Sequence, residues 1–263
     1  MNQLDQVALT GRLTAALRAR ESERPDRLFT DPYASRLAGA EGFRLLAEFG
    51  DNSTIAVRTK FLDDKLSGLG ARQLVIVAAG MDSRAYRLPA LADTVTYELD
   101  RPEVLGLKES LISAPPVGVR HSVGVDLAGE WRSPLLAAGF DAGRTTAWVV
   151  EGLTQYLRGD DVDRLLDGIT ALSAPGSQLL LDVVGQSLLD SAAMRPMLDR
   201  FAALDMTWRW GTDDPESLLG RRGWSCEVSL IGSVGTAYGR WPYPEVPRNT
   251  PGVGHGYLIH AHR

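Results

Sequence analysis

The chain has one cysteine in 263 residues, Cys226, so it can build neither a disulfide framework nor a cysteine-based metal site. A small buried residue beside Trp224 is the expectation for it, and a reducing cytoplasm is the natural compartment. No lysine–arginine run occurs and the net charge is -5, which argues against nucleic acid as a partner, since phosphate binding needs a basic face. No apolar run is long enough to cross a bilayer, and the opening residues lack the charged-then-apolar pattern of a signal peptide, so no membrane partner is expected. G-x-G-x-x-G and G-x-S-x-G are both missing, which opposes a dinucleotide oxidoreductase and a hydrolase with a nucleophile elbow. Nor is there an internal repeat, a linker or a low-complexity tract.

What remains is an ordinary globular composition, 44% hydrophobic and 23% charged, in a chain long enough to bury a substantial core. The most informative stretch is 73–87. Leu74, Val75, Ile76 and Val77 form an apolar run suited to a strand buried on both faces of a parallel sheet. It runs into Ala78, Ala79 and Gly80, where the backbone can turn sharply or approach a ligand. Asp82 and Ser83 then supply N-cap chemistry. Strand, small-residue turn and helix start together predict the first unit of a doubly wound sheet, which binds ligands at the carboxyl ends of its strands.

Before that stretch, Leu9, Leu13 and Leu17 recur at helical spacing. Asp31-Pro32 predicts a second helix stopping at Gly39, and Ser53 caps a third. After it, strands are expected over 94–99, 117–125 and 145–150, ending at Asp100, Asp126 and Glu151. Asp160 caps a helix with an apolar stripe of Val162, Leu165, Leu166, Ile169 and Leu172. Further strands are expected over 178–184, 224–231 and 257–262, with 186–222 helical and Asp214-Pro215 starting one helix there. The prediction is one α/β domain with a seven-stranded, mainly parallel, Rossmann-like sheet. A helical cap (1–70), a cofactor-binding core (71–185), a helical lid (186–222) and the last two strands (223–263) make it up.

Asp100 lies twenty positions after Gly80, the offset at which an acid at the second strand's end meets a ribose diol. With Asp126 and Glu151 it forms a negative edge, hostile to a pyrophosphate and favourable to a cation. S-adenosyl-L-methionine fits such an edge: it carries a diol, an amine, an ammonium and a sulfonium. Its one carboxylate finds a candidate bidentate partner in Arg58.

Several strings carry a family resemblance: Val-Arg-Thr-Lys-Phe-Leu-Asp-Asp (57–64), Ala-Ala-Gly-Met-Asp-Ser-Arg-Ala-Tyr-Arg-Leu (78–88) and Tyr-Glu-Leu-Asp-Arg-Pro-Glu-Val (97–104). Val-Asp-Leu (125–127), Glu-Gly-Leu-Thr-Gln-Tyr-Leu (151–157) and the entry segment 18–34 continue it. They resemble the leucine carboxyl methyltransferase-like family, whose bacterial branch includes O-methyltransferases of natural-product biosynthesis. The likeness spans roughly residues 14 to 184 and weakens beyond. It implies that Arg58 holds the methionine carboxylate and that Gly80 approaches the methionyl part. Asp100 would take the ribose, Asp126 and Leu127 the adenine, and Glu151 the region around the amino-acid moiety. Arg20 occupies the place of a basic cofactor contact, with Arg18 or Arg24 as alternatives.

The reaction expected is methyl transfer from S-adenosyl-L-methionine to an oxygen of a small molecule or peptide. A carboxylate is already ionised at neutral pH, whereas a phenol needs a base. The motifs contain no histidine, so carboxyl methylation is the leading expectation. A hydroxyl acceptor, and a member that binds the cofactor without moving a methyl group, are the alternatives. Tyr156 and His255 are the candidate catalytic residues, Tyr156 to hydrogen-bond the acceptor or to pack on the cofactor, and His255 as a base reaching in from a glycine-rich turn. The acceptor is expected against the segment holding Met194, Met197, Met206, Trp208 and Trp210.

Overall fold

The computed structural model describes residues 6–263, with side chains from residue 9 onward. Residues 1–5 of the expected helical cap lie outside the described residues. The chain divides into two compact units, Met1–Phe140 and Asp141–Arg263.

In the first unit the leucine spacing folds α1 (Gln6–Glu23), burying Leu13 and Leu17. The next helix, α2 (Ala34–Phe49), begins later than Asp31-Pro32 suggested, with Tyr33 at the N-cap position. Asp31 is not its cap; the Asp31 Oδ1 accepts the Tyr33 N–H at 3.1 Å. Gly39 does interrupt the helical backbone, as expected: at φ 56° and ψ -174° it is non-helical, and two helical segments meet across the kink within α2. A Cβ on Gly42 would stand 2.4 Å from the Arg12 carbonyl oxygen, so α2 lies backbone-close on α1. Ser53 does precede α3 (Thr54–Leu69), although Asn52, not Ser53, accepts the Thr54 N–H, at 3.2 Å.

The apolar run becomes β1 (Gln73–Val77), buried at every position. One helical turn, α4 (Arg84–Arg87), follows the small-residue loop. Then come β2 (Val95–Asp100), α5 (Pro102–Leu111), β3 (Val119–Gly124) and α6 (Arg132–Ala137). The three strands pair in parallel, Val77 opposite Leu99 and Asp100 opposite Gly124, so their carboxyl ends share one edge.

The second unit opens with β4 (Ala147–Val150), a short 3-10 turn (Thr154–Tyr156) and α7 (Gly159–Ala171). All five residues of the expected α7 stripe are buried. Arg158 takes the N-cap position, and Asp160 and Asp161 lie in the first turn, where acids favour the helix dipole. Next is β5 (Gln178–Val184), parallel to β4.

The stretch 186–222 is not one helical lid. It breaks into α8 (Gln186–Asp190), α9 (Arg195–Ala203) and α10 (Pro215–Gly220), separated after α9 by Asp205 at φ 55° and an irregular run containing buried Met206. The Asp214-Pro215 signal is met: Asp214 accepts the Ser217 N–H at 3.0 Å. After β6 (Ser225–Leu230) comes α11 (Ile231–Ala237), which its glycines hid from sequence reasoning. Gly232 is needed there, since a Cβ would meet the Trp241 indole nitrogen at 3.0 Å. The last strand, β7 (Gly256–His262), runs antiparallel to both β5 and β6. The sheet has seven strands in the order β3-β2-β1-β4-β5-β7-β6. No helix among the described residues is long and apolar enough to cross a membrane.

Candidate active site

The small side chains after β1 permit a sharp turn. Ala78 takes φ 55° and Gly80 φ 40°, both in the left-handed region that β-carbon sterics disfavour. The Ala79 N–H still donates to the Leu99 carbonyl at 3.0 Å, which keeps the loop seated on β2. One residue on, the Gly80 N–H donates to Asp100 Oδ2 at 2.7 Å, and the Arg101 N–H donates to Asp100 Oδ1 at 2.8 Å. A Cβ on Gly80 would meet nothing nearer than the Ala78 carbonyl oxygen at 3.8 Å, so that face of the loop is open. An ionised carboxylate offers about four lone-pair positions. Two of those on Asp100 are filled by backbone, which leaves one on each oxygen for a pair of hydroxyls. Burial pushes the Asp100 carboxyl above the usual aspartate value, while the two N–H groups, Lys108 and Arg101 pull the other way.

The rest of the 80–87 motif has different work. Asp82 accepts the Arg84 N–H at 2.7 Å and the Arg84 guanidinium at 2.5 Å. Arg84 also donates to Asp63 of α3 at 2.6 Å, and Arg87 grips the same carboxylate with two nitrogens, at 2.7 and 3.1 Å. Asp31 receives Ser83 Oγ at 2.6 Å and Arg18 Nε at 2.9 Å. Arg18 donates again, to the Met81 carbonyl, at 2.6 Å. Burial raises the Asp31 carboxyl, but Arg18, Arg87 and the Ser83 hydroxyl more than offset it and hold it below the usual value. This buried lattice ties the loop to α1, to the start of α2 and to α3. Asp31 and Asp63 were missed as functional acids; the available signal was a charged residue inside the buried face of a helix, as Asp63 is in α3.

Of the other expected residues in the first unit, Arg58 is buried on α3. Asp126 is exposed, its Oδ1 accepting the Ala128 N–H at 2.9 Å, and Leu127 is half-buried. Arg20 lies on the exposed side of α1; the buried arginine of that helix is Arg18, within the lattice. In the second unit Glu151 ends β4, half-buried, beside Gly152 at φ 64°, whose N–H donates to Asp182 at 2.6 Å. Tyr156 is half-buried at the end of the short 3-10 turn. His255 accepts the Gly185 N–H through its carbonyl at 2.8 Å, and its Nε2 is buried without a hydrogen-bond partner. Thr154 Oγ1, Gln155 Oε1 and Trp208 Nε1 share that condition. The Arg209 N–H donates to the Gln155 carbonyl at 2.6 Å, which brings the Trp208 segment beside the turn after β4.

A doubly wound sheet with an open glycine turn after its first strand and a half-satisfied acid ending its second is the arrangement of a Rossmann-like fold that takes a nucleoside at that edge. Comparison with known proteins agrees. Residues 12–170 match the family model described as leucine carboxyl methyltransferase. A protein of Parafrankia sp. (strain EAN1pec), named among the S-adenosyl-L-methionine-dependent methyltransferases, is 38% identical over 98% of this chain and 87% of its own length. A similarly named protein of Mycolicibacterium smegmatis is 39% identical over 89% of this chain and 87% of its own. Two crystal structures share the fold. One, described as a methyltransferase from Thermobifida fusca, has a TM-score of 0.64 at 17% identity and covers 96% of this chain and 94% of its own. The other, a DUF574 family protein from Streptomyces avermitilis, has a TM-score of 0.61 at 15% identity and covers 97% of each chain. The chain belongs to the leucine carboxyl methyltransferase family. It is an S-adenosyl-L-methionine-dependent methyltransferase, with that compound as its cofactor.

Proposed function

We propose that this chain methylates an oxygen nucleophile of a small molecule or peptide, with a carboxylate as the leading acceptor. The observation that carries the cofactor half is the Gly80–Asp100 arrangement: an open backbone turn held at 2.7 Å from a carboxylate with lone pairs to spare. Asp100 would accept from the ribose hydroxyls, and buried Arg58 would hold the methionine carboxylate. Asp126 and Leu127 would flank the adenine and Glu151 the amino-acid moiety. Arg20, exposed on α1, is the weakest member of this set.

When bound, S-adenosyl-L-methionine supplies an electrophilic methyl group: the acceptor oxygen gains it as the C–S bond breaks and the sulfonium becomes a neutral thioether. Such a displacement asks the protein for alignment and exclusion of water more than for acid–base work. A carboxylate acceptor needs no base. A second reading, a hydroxyl acceptor, is favoured by one observation, the buried and unpartnered Nε2 of His255. That nitrogen would take the hydroxyl proton as the oxygen–carbon bond forms, and Tyr156 would hydrogen-bond the acceptor. The orphaned polar atoms of Thr154, Gln155 and Trp208 are the groups we assign to the acceptor side, since buried donors and acceptors left unpaired cost about 1–3 kcal/mol each.

The test uses S-adenosyl-L-methionine labelled in its methyl group, with acceptor panels of carboxylic acids and phenols. Label released as methanol by mild alkali marks a carboxyl ester and supports the leading reading. Alkali-stable label marks an ether and selects the hydroxyl reading. No transfer by protein that binds the cofactor would reject both.

A further inference from the structure

Beneath the cofactor loop lies a lysine that neither the motifs nor the proposed chemistry uses. Lys108 of α5 is fully buried, its side chain 0% exposed, and its Nζ stands 2.7 Å from Glu98 Oε2, equally buried, on β2. A lysine is almost never buried so completely unless it is paired, and neutralising Glu98 would be the ordinary explanation. Glu98, however, has a second cation beside it, one that it shares with Glu109 at 2.9 Å. Arg120 of β3 donates to the same Oε2 through Nε at 2.9 Å and a terminal nitrogen at 2.6 Å.

The remaining contacts of Lys108 all go to the loop between β1 and α4. Its Nζ donates to the Ala79 carbonyl at 3.4 Å and to the Asp82 carbonyl at 3.3 Å. Those two carbonyls bracket Gly80 and Met81. The ammonium therefore holds both ends of the short arc that presents the Gly80 N–H to Asp100 and leaves the Gly80 face open. The chain enters the arc through a strained residue, Ala78 at φ 55°, and turns within it at Gly80, φ 40°, a conformation open to glycine. The same charge acts on Asp100, opposing the burial that raises its carboxyl.

We propose that Lys108 is a positioning residue of the cofactor site: seated on Glu98, its ammonium fixes the carbonyls of Ala79 and Asp82 and so sets the 79–82 arc for S-adenosyl-L-methionine. This rests on the methyltransferase reading of that edge. Lys108 touches no reacting atom. It acts through the backbone of the arc, and its field on Asp100 offsets part of the burial that raises that carboxyl.

The experiment compares wild type, Lys108→Met and the double variant Lys108→Met/Glu98→Gln, reading thermal stability together with calorimetric affinity for S-adenosylhomocysteine between pH 5 and 8. Lys108→Met leaves Glu98 and Glu109 to share Arg120 alone and lowers Tm; the double variant restores the charge balance and recovers most of it. Affinity is expected to fall at least tenfold in both, and to stay low in the double variant despite its restored stability. In both variants the acid-side loss of affinity should begin at higher pH than in wild type, a shift that general loosening of the core would not produce. The proposal is overturned if affinity recovers along with Tm in the double variant, or if Lys108→Met binds within twofold of wild type. A double variant unable to fold also counts against it, marking the pair as core structure. Failure of the wild-type protein itself to bind S-adenosylhomocysteine is a different result and would sink the cofactor assignment instead.

Discussion

Two neighbouring regions of the first unit draw on the same run of sequence, yet they spend their polar groups differently. In the lattice around Asp31 and Asp63, the protein meets its own acids with its own arginines, Arg18, Arg84 and Arg87, plus the Ser83 hydroxyl. At the strand edge, Asp100 accepts two backbone N–H groups and keeps spare lone pairs. The first region holds a loop in place; the second is the one proposed to take the cofactor. Membership of a motif therefore says little about role, whereas the fraction of an acid's hydrogen-bonding capacity met internally says a good deal.

The largest effect that would sharpen this contrast is Asp63→Ala. It takes a shared carboxylate from two buried guanidiniums, leaving Arg84 with Asp82 and Arg87 with Asp31 and Ser83. Breaking a buried ion pair costs about 3–5 kcal/mol, so urea denaturation should show a loss towards the lower end of that range. Asp100→Asn should do the reverse. Calorimetry with S-adenosylhomocysteine should show affinity weaker by about 1.5–3 kcal/mol, the worth of a hydrogen bond to a charged group, with a smaller loss of stability, since the amide NH2 must face one of the two backbone donors. Equal effects of the two substitutions on both readouts would erase the distinction.

Acidification separates the regions by sign. Asp100 has a raised carboxyl, so its ionised, ligand-accepting form is lost above the ordinary aspartate value of about 3.9. Its own contribution to stability is present below that value and is lost as pH rises through the raised one. Asp31 is lowered, so its stabilisation is present above the ordinary value and is lost only as pH falls through the depressed one. A pH titration should therefore find cofactor affinity falling before Asp31's share of stability is lost. The smallest effect is Ala78→Gly. A left-handed alanine costs about 1–2 kcal/mol, and glycine's extra freedom in the unfolded chain returns about 0.4–1 kcal/mol of that. A gain in stability of under about 1 kcal/mol is expected, and a clear loss would show that Ala78 is not strained.

Much of the fold was legible because burial and periodicity agreed: the runs that became β1, β5 and α7 are apolar wherever the sheet or core needs them. Gly80 and Asp100 were legible through their spacing, and the contact at 2.7 Å joins them. Gly39 was legible as a break, since it leaves helical geometry at φ 56°, but the second helical segment that follows it directly within α2 was not. The segment 186–222 misled because its apolar residues serve three short helices and an irregular run, with no single face to repeat. Arg18 and Arg20 look alike in sequence; only their positions around α1 separate the buried one from the exposed one.

The sequence by itself determined the class of sheet, the turn at Gly80 and the acid that answers it, because hydrophobic period and strand–turn–helix spacing are local and survive without a partner. Tertiary structure decided which charges are met by the protein itself and which keep hydrogen-bonding capacity to spare. That choice depends on which oxygen atoms are already occupied and how far water has been excluded, and both arise only when α1, α3 and α5 close around the loop after β1.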